Sequence, residues 1–174
     1  MAPVVARYQA AIEALLQQTP AGGDWAPLNV NSFFRREITE CSITALLGPQ
    51  IFELNGGSGE GGFLDAFWRY DEVVFALTLG FPRWISPKPY RVQERYLGMI
   101  EKYLDHAWAG FDWNGSLSEA SWEPNFGARV CREIAKWLKD AGFRDQVAAG
   151  ALGTLVFAYV LLPYLHLFSG LGRD

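Results

Sequence analysis

The residues able to do chemistry in this chain are few and scattered. Cys41 and Cys131 are its two cysteines, and His106 and His166 its two histidines. Neither cysteine has a second cysteine or a histidine at metal-ligand spacing, so no metal knuckle and no disulfide framework is implied. Cys131 closes the run Phe126-Gly127-Ala128-Arg129-Val130-Cys131, which has some of the composition of a loop that presents a thiolate to iron. The spacing is too short, and no glycine follows two residues after the cysteine. The next residues, Arg132-Glu133-Ile134-Ala135-Lys136-Trp137, continue a helix with Cys131 on its apolar face, so the expectation for Cys131 is core packing. Cys41, mid-helix between Glu40 and Ser42, is expected to do the same.

His106 and His166 are far apart in sequence. The first is expected at the polar edge of a helix and the second in an apolar tail. No Ser-His-Asp order, HExxH or paired acidic signature is present, and Glu37 with Glu40, or Asp71 with Glu72, stand at spacings met on any solvated helix face. Gly56-Gly57-Ser58-Gly59-Glu60-Gly61-Gly62 has the composition of a phosphate-binding loop, but no Lys-Ser/Thr follows and no strand precedes. The tryptophans Trp68, Trp84, Trp108, Trp113, Trp122 and Trp137 suit helix packing more than a ligand cavity. The sequence therefore assigns no catalytic, cofactor-binding or metal-ligating residue.

The elements that hold these residues are helices. Half of the 174 residues are hydrophobic and 15% are aromatic, which excludes a disordered chain. The net charge of −4 and the lack of a recognition module make nucleic acid an unexpected partner. Apolar residues recur at helical spacing over 4–18, where Thr19-Pro20 ends the pattern. A second helix is predicted over 32–47, with Asn31 as its N-cap and Phe34, Ile38, Cys41 and Ala45 as its stripe. A third spans 63–79, with Phe63, Leu64, Phe67, Trp68, Val74, Phe75 and Leu79 inward and Gly80 at its C′ position. Pro82, Pro87 and Pro89 make a stiff joint around Trp84 and Ile85. The fourth helix covers 90–111 through Val92, Tyr96, Met99, Ile100, Tyr103, Ala107 and Phe111. A polar loop from Asn114 to Pro124 precedes a fifth helix over 127–141, with Val130, Cys131, Ile134, Trp137 and Leu138 inward and Gly142 as its stop. From Gln146 to Gly172 there is no Asp, Glu, Lys or Arg. No strand with period-two alternation is visible. The fold class expected is an all-α, irregular multi-helix array.

Several strings together resemble one family. They are Phe33-Phe34-Arg35-Arg36-Glu37-Ile38-Thr39 with Ala45-Leu46-Leu47-Gly48-Pro49, and Phe67-Trp68-Arg69-Tyr70-Asp71 with Leu79-Gly80-Phe81-Pro82. Two more are Trp122-Glu123-Pro124-Asn125-Phe126-Gly127-Ala128-Arg129, and Ala151-Leu152-Gly153-Thr154-Leu155-Val156-Phe157-Ala158. These resemble the middle of a cytochrome P-450, a haem-thiolate monooxygenase, of a fungal type related to the sterol-hydroxylase branch. The resemblance implies the helices lettered D to H and the start of the long I helix. It divides the chain into a partial P-450 domain over 1–158 and a divergent apolar tail over 159–174. The family's Trp-x-x-x-Arg helix, Glu-x-x-Arg pair and cysteine loop have no counterpart here, and Thr154 lies about one turn too early for the oxygen-site polar residue.

What the resemblance implies is a fragment of an enzyme that uses haem, O2 and electrons from a reductase to oxidise an apolar, sterol-like substrate. The fragment would bind no haem alone. Phe81, Trp84, Leu155 and Ala158 would stand closest to substrate. Intact relatives would sit at the endoplasmic reticulum membrane, although Met1 to Arg7 holds no sustained apolar run. Two alternatives stay open. One is a stand-alone helical binding or scaffold protein. The other is membrane association through 146–172, a run long enough to span a bilayer. Residues 159–174 carry a further expectation. Ala158-Tyr159-Val160 can be encoded as GCG-TAT-GTN, which contains a common fungal intron start, so translated intron sequence would account for the tail. Such a tail would extend the preceding helix, weaken near Pro163 and fray from Ser169.

Overall fold

The computed structural model describes residues 29–170, apart from the side chains of Val30 and 162–170, together with three isolated helical positions, Ala6, Gln9 and Glu13. The rest of the helix expected over 4–18 lies outside the described residues. The array is all-α but for one minimal hairpin, as the periodicity predicts.

The first continuous helix, α1, covers 30–47 in three parts: Val30–Phe33, a π-helical stretch Phe34–Ile38, and Thr39–Leu47. Its N-cap is Asn29, whose Oδ1 accepts the Ser32 N–H at 3.0 Å; Asn31 sits inside the helix. The π turn has a side-chain cause. Trp68 donates its indole N–H to Arg35 O at 2.6 Å, and Thr39 Oγ1 donates to Phe34 O at 2.9 Å, so carbonyls lost to the α ladder keep donors. The surplus residue also rotates the buried face. Thr39, Ser42, Ile43, Leu46 and Leu47 face the core with Ala45, while Phe34, Ile38 and Cys41 of the predicted stripe are half-buried. Gly48, at φ +78°, ends α1. A short helix that periodicity did not predict, α2 (Gln50–Leu54), follows.

After the glycine loop comes α3 (Phe63–Thr78), ended by Gly80 in the left-handed region at φ +70° as expected. Its first half, Phe63, Leu64, Ala66 and Phe67, is buried. Phe75 and Leu79, predicted inward, are 73% and 56% exposed. The joint leads into α4 (Pro87–Gly110), which begins three residues before the predicted start because proline suits the first turn, where its missing N–H costs nothing. Phe111 lies just past its end. The expected polar loop holds a 3₁₀ turn (Ser116–Glu119) and an antiparallel pair, β1 (Trp122–Glu123) with β2 (Gly127–Ala128). Then come α5 (Arg129–Asp140) and α6 (Asp145–Gly170). On α5 the buried residues are Cys131, Arg132, Ala135 and Leu138; Val130 and Trp137, expected inward, are exposed.

The core lies where α4 crosses α3 and α6. Tyr96 is its hub, stacked on Tyr70 at 4.8 Å and donating its hydroxyl to Gly153 O at 3.2 Å. Gly153 permits the α4–α6 approach: a Cβ there would stand 3.1–3.3 Å from Ile100, Tyr96 and Leu97. Two turns on from Tyr96, Tyr103 donates to Leu47 O at 2.8 Å and fastens α4 to the end of α1. Helix α6 passes through position 158 and Pro163 without a break, and Val160 is buried with the core. Among the described residues, no helix is long and apolar enough to cross a membrane.

Candidate functional site

Phe81 and Trp84, the first two residues expected near a substrate, lie on the joint between α3 and α4. The joint is held by local bonds. Tyr90 donates its hydroxyl to Phe81 O at 2.7 Å, Ile85 N–H and Ser86 N–H both reach Pro82 O, and Arg83 pairs with Glu94 at 2.6 Å. Its apolar side chains remain open: Trp84 is 83% exposed, and Phe81 and Ile85 about half. With Phe75 and Leu79 they form an apolar rim along the far end of α3. Leu155 and Ala158 lie on α6. Leu155 is half-buried against the core and Ala158 is exposed.

The concave regions among the described residues include these three. A groove of about 620 Å³ runs between α1, the glycine loop and α3 and is lined mainly by charged residues, among them Arg35, Arg69 and Glu72. A second, about 470 Å³, lies between α4 and the start of α6. A third, about 20 Å³, lies against α5. None of the three is lined by Phe81, Trp84, Leu155 or Ala158.

Of the two cysteines expected in the core, Cys131 is there and Cys41 is not fully enclosed. Cys131 is buried, and burial pushes its thiol up to about 12. It is a neutral core group at ordinary pH, which does not fit an iron-bound thiolate. Cys41 is half-buried, and its thiol is raised by burial and by Glu40 and Glu37. His106 is exposed beside the Phe126 ring. Thr154 donates back to Gly150 O at 2.8 Å within α6. Among the described residues no group of three or more His, Cys, Asp or Glu is placed to hold a metal ion.

Sequence reasoning missed a buried pair. Glu123 and Arg132 are 2% and 4% exposed. Glu123 spends its two oxygens on the N–H groups of Asn125 and Phe126, at 2.8 and 2.7 Å, and so shapes the β1–β2 turn. Arg132 donates to Gly127 O at 2.5 Å and to Ala120 O. The signal available was Glu-Pro-Asn-Phe-Gly, an acid set to cap a turn. Nothing in the period marked Arg132 as buried.

The order of elements and the strings that compose them can be set against known proteins. No family model matches. Cytochrome P450 monooxygenase calL of Penicillium decumbens is 37% identical over 135 residues, which is 78% of this chain and 24% of that protein. The chain is a partial cytochrome P450-like sequence. Two further fungal relatives agree. Cytochrome P450 monooxygenase fsoE of Humicola fuscoatra is 24% identical over 149 residues, and efuG of Hormonema carpetanum is 23% identical over 148; each alignment takes in 83% of this chain and 25% of the relative. The P450-like chain thus spans about a quarter of the length of the curated relatives it matches. No solved structure matches it.

Proposed function

We propose that this P450-like chain forms the roof and outer wall of an apolar substrate pocket in a haem-dependent monooxygenase. The observation that carries this is the 37% identity to a P450 monooxygenase across 135 residues. The rim of Phe75, Leu79, Phe81, Trp84 and Ile85 supports an apolar, sterol-like substrate. It is a run of large apolar side chains left exposed along the end of α3 and the joint. Phe81 and Trp84 on the joint, with Leu155 and Ala158 on α6, are the proposed lining. Haem, when bound, supplies insertion of one oxygen atom from O2, and a reductase supplies the electrons. These residues shape the pocket and exclude water; they offer no iron ligand. Residues 1–158 carry this role, and 159–174 form a divergent apolar tail.

On this reading the chain alone binds no haem and oxidises nothing. The test is the purified chain mixed with haemin, reduced and exposed to carbon monoxide. No thiolate-type absorption band is expected. A thiolate band that vanishes in Cys131→Ala overturns the proposal and makes Cys131 the iron ligand.

A further inference from the structure

Two asparagines of this chain are followed by glycine, in Asn55-Gly56 and Asn114-Gly115. The pairing has a chemical consequence. With no Cβ beside it, a glycine nitrogen can reach the side-chain carbonyl carbon of the asparagine before it. The glycine nitrogen bonds to Cγ, the Cγ–Nδ2 bond breaks, and ammonia leaves with the glycine amide proton. Water then opens the succinimide at either carbonyl, giving aspartate or isoaspartate. The reaction needs only base and water. Its rate depends on how free the asparagine is, and the fold treats the two sites differently.

Asn55 is locked. It stands at the C-terminal end of α2 and is 7% exposed. Its Nδ2 donates to Ile51 O at 2.9 Å and to Met99 O at 3.1 Å, which ties α2 to α4. Ring closure there has to pull the amide off both acceptors. Asn114 is open. Its side chain is exposed and makes no hydrogen bond among the described residues. Only its backbone N–H is held, by Asp112 Oδ1 at 3.1 Å. The attacking Gly115 N–H makes a long bond, 3.3 Å, to Asp112 O. The same turn selects the glycine, since a Cβ at 115 would stand 2.2 Å from Asp112 Oδ2.

We propose that Asn114 is a site of spontaneous deamidation in the folded chain, and that Asn55, with the same glycine after it, is protected by its two bonds. The product bears on the fold nearby. Isoaspartate adds a carbon to the main chain between two fastened points. On one side the Trp113 indole N–H donates to Ala107 O at 3.2 Å. On the other the carbonyls of Ser118 and Ala120 accept the buried Arg132.

The test ages the full chain in mildly alkaline buffer while its helicity is followed. Expression in a bacterial cytosol keeps a glycan off Asn114, which with Ser116 also completes an Asn-x-Ser sequon. Peptide mapping by mass spectrometry reads the loss of ammonia and the gain of isoaspartate at each site. Asn114 should convert about thirtyfold faster than Asn55 or more, the factor set by two hydrogen bonds of ordinary net worth. The gap should close in urea. Comparable rates at the two sites in the folded chain overturn the proposal. So does an Asn114 that stays intact in the folded chain and converts only in urea, which would mean that the turn holds it.

Discussion

The two halves of α3 carry similar side chains and have opposite fates. Phe63, Leu64 and Phe67 in the first half meet α4 and α6 and are closed off from solvent, with Phe67 at edge-to-face distance from Trp68 and close to Phe157. Phe75 and Leu79, two and three turns on, recur at helical spacing and stay mostly open to solvent. An amphipathic pattern states which residues lower their free energy by leaving water. It does not state that the covering surface belongs to the same chain. In the first half the partner is Tyr96 and its neighbours. In the second half and along the joint, the described residues supply no such cover.

The largest effect should come from the packed side, at the glycine crossing of α1 and β2. Gly127 has φ +64°, and a Cβ on it would stand 2.3 Å from Leu46 O and 2.5 Å from Gly48 N. These are backbone atoms that cannot step aside. Gly127→Ala should destabilise by about 4 kcal/mol or more, read as a fall in urea midpoint. A loss below about 1 kcal/mol would mean that the α1–hairpin junction is loose and that the two regions differ less than described.

The comparison is sharpest within α3 itself. Phe67→Ala should cost about 3–5 kcal/mol, since it opens a cavity in a closed core. Phe75→Ala should change stability by no more than about 0.5 kcal/mol. Similar losses at the two positions would show that Phe75 is covered, and the open rim would disappear as a feature.

Tyr103→Phe comes next. It removes one hydroxyl and leaves Leu47 O without that donor, which should cost about 1–2 kcal/mol with the fold retained. Full stability in this variant would show that another donor already serves the end of α1.

Much of this was legible in the residues. The all-α class, the helices predicted over 32–47, 63–79, 90–111 and 127–141 within a few residues, the Gly80 and Gly142 stops and the packed state of Cys131 all follow from period and caps. What was not legible has physical reasons. The stripe on α1 was misphased because a π turn adds a residue that no 3.6-residue template contains. α2 is too short to show a period. Val130 and Trp137 were read inward because apolar residues on both faces of α5 leave the period ambiguous, and only Arg132 turning inward settles which face is buried. The proposed lining residues were chosen through a family likeness, with Phe81 and Trp84 on the joint and Leu155 and Ala158 on α6.

The smallest effect concerns thiol reactivity. Burial raises Cys131 to about 12, against 9.0 for a free thiol. The unfolded chain therefore loses this proton first as pH rises. The contribution to stability is intact below pH 9 and declines as pH climbs towards 12. At pH 8 iodoacetamide should modify Cys41 slowly and leave Cys131 untouched until urea unfolds the chain. Equal labelling of both in the native protein would place Cys131 on the open side of the comparison.

The π turn in α1 has a consequence for how this helix tolerates change in length. A helix with one surplus residue is one from which a residue can be taken. Deleting one position between 34 and 38 would convert the turn to regular α geometry, at 3.6 residues per turn. The stretch Thr39–Leu47 would keep its seat, and with it the carbonyls that hold Tyr103 and Trp122. The stretch before the deletion would keep nearly the same orientation, because a π turn uses one more residue than an α turn to complete about the same rotation. The released indole of Trp68 would have to find another acceptor. In this chain, then, the π turn is a length buffer: it takes up one residue while the helix on either side, and the junction at Gly48, keep their places.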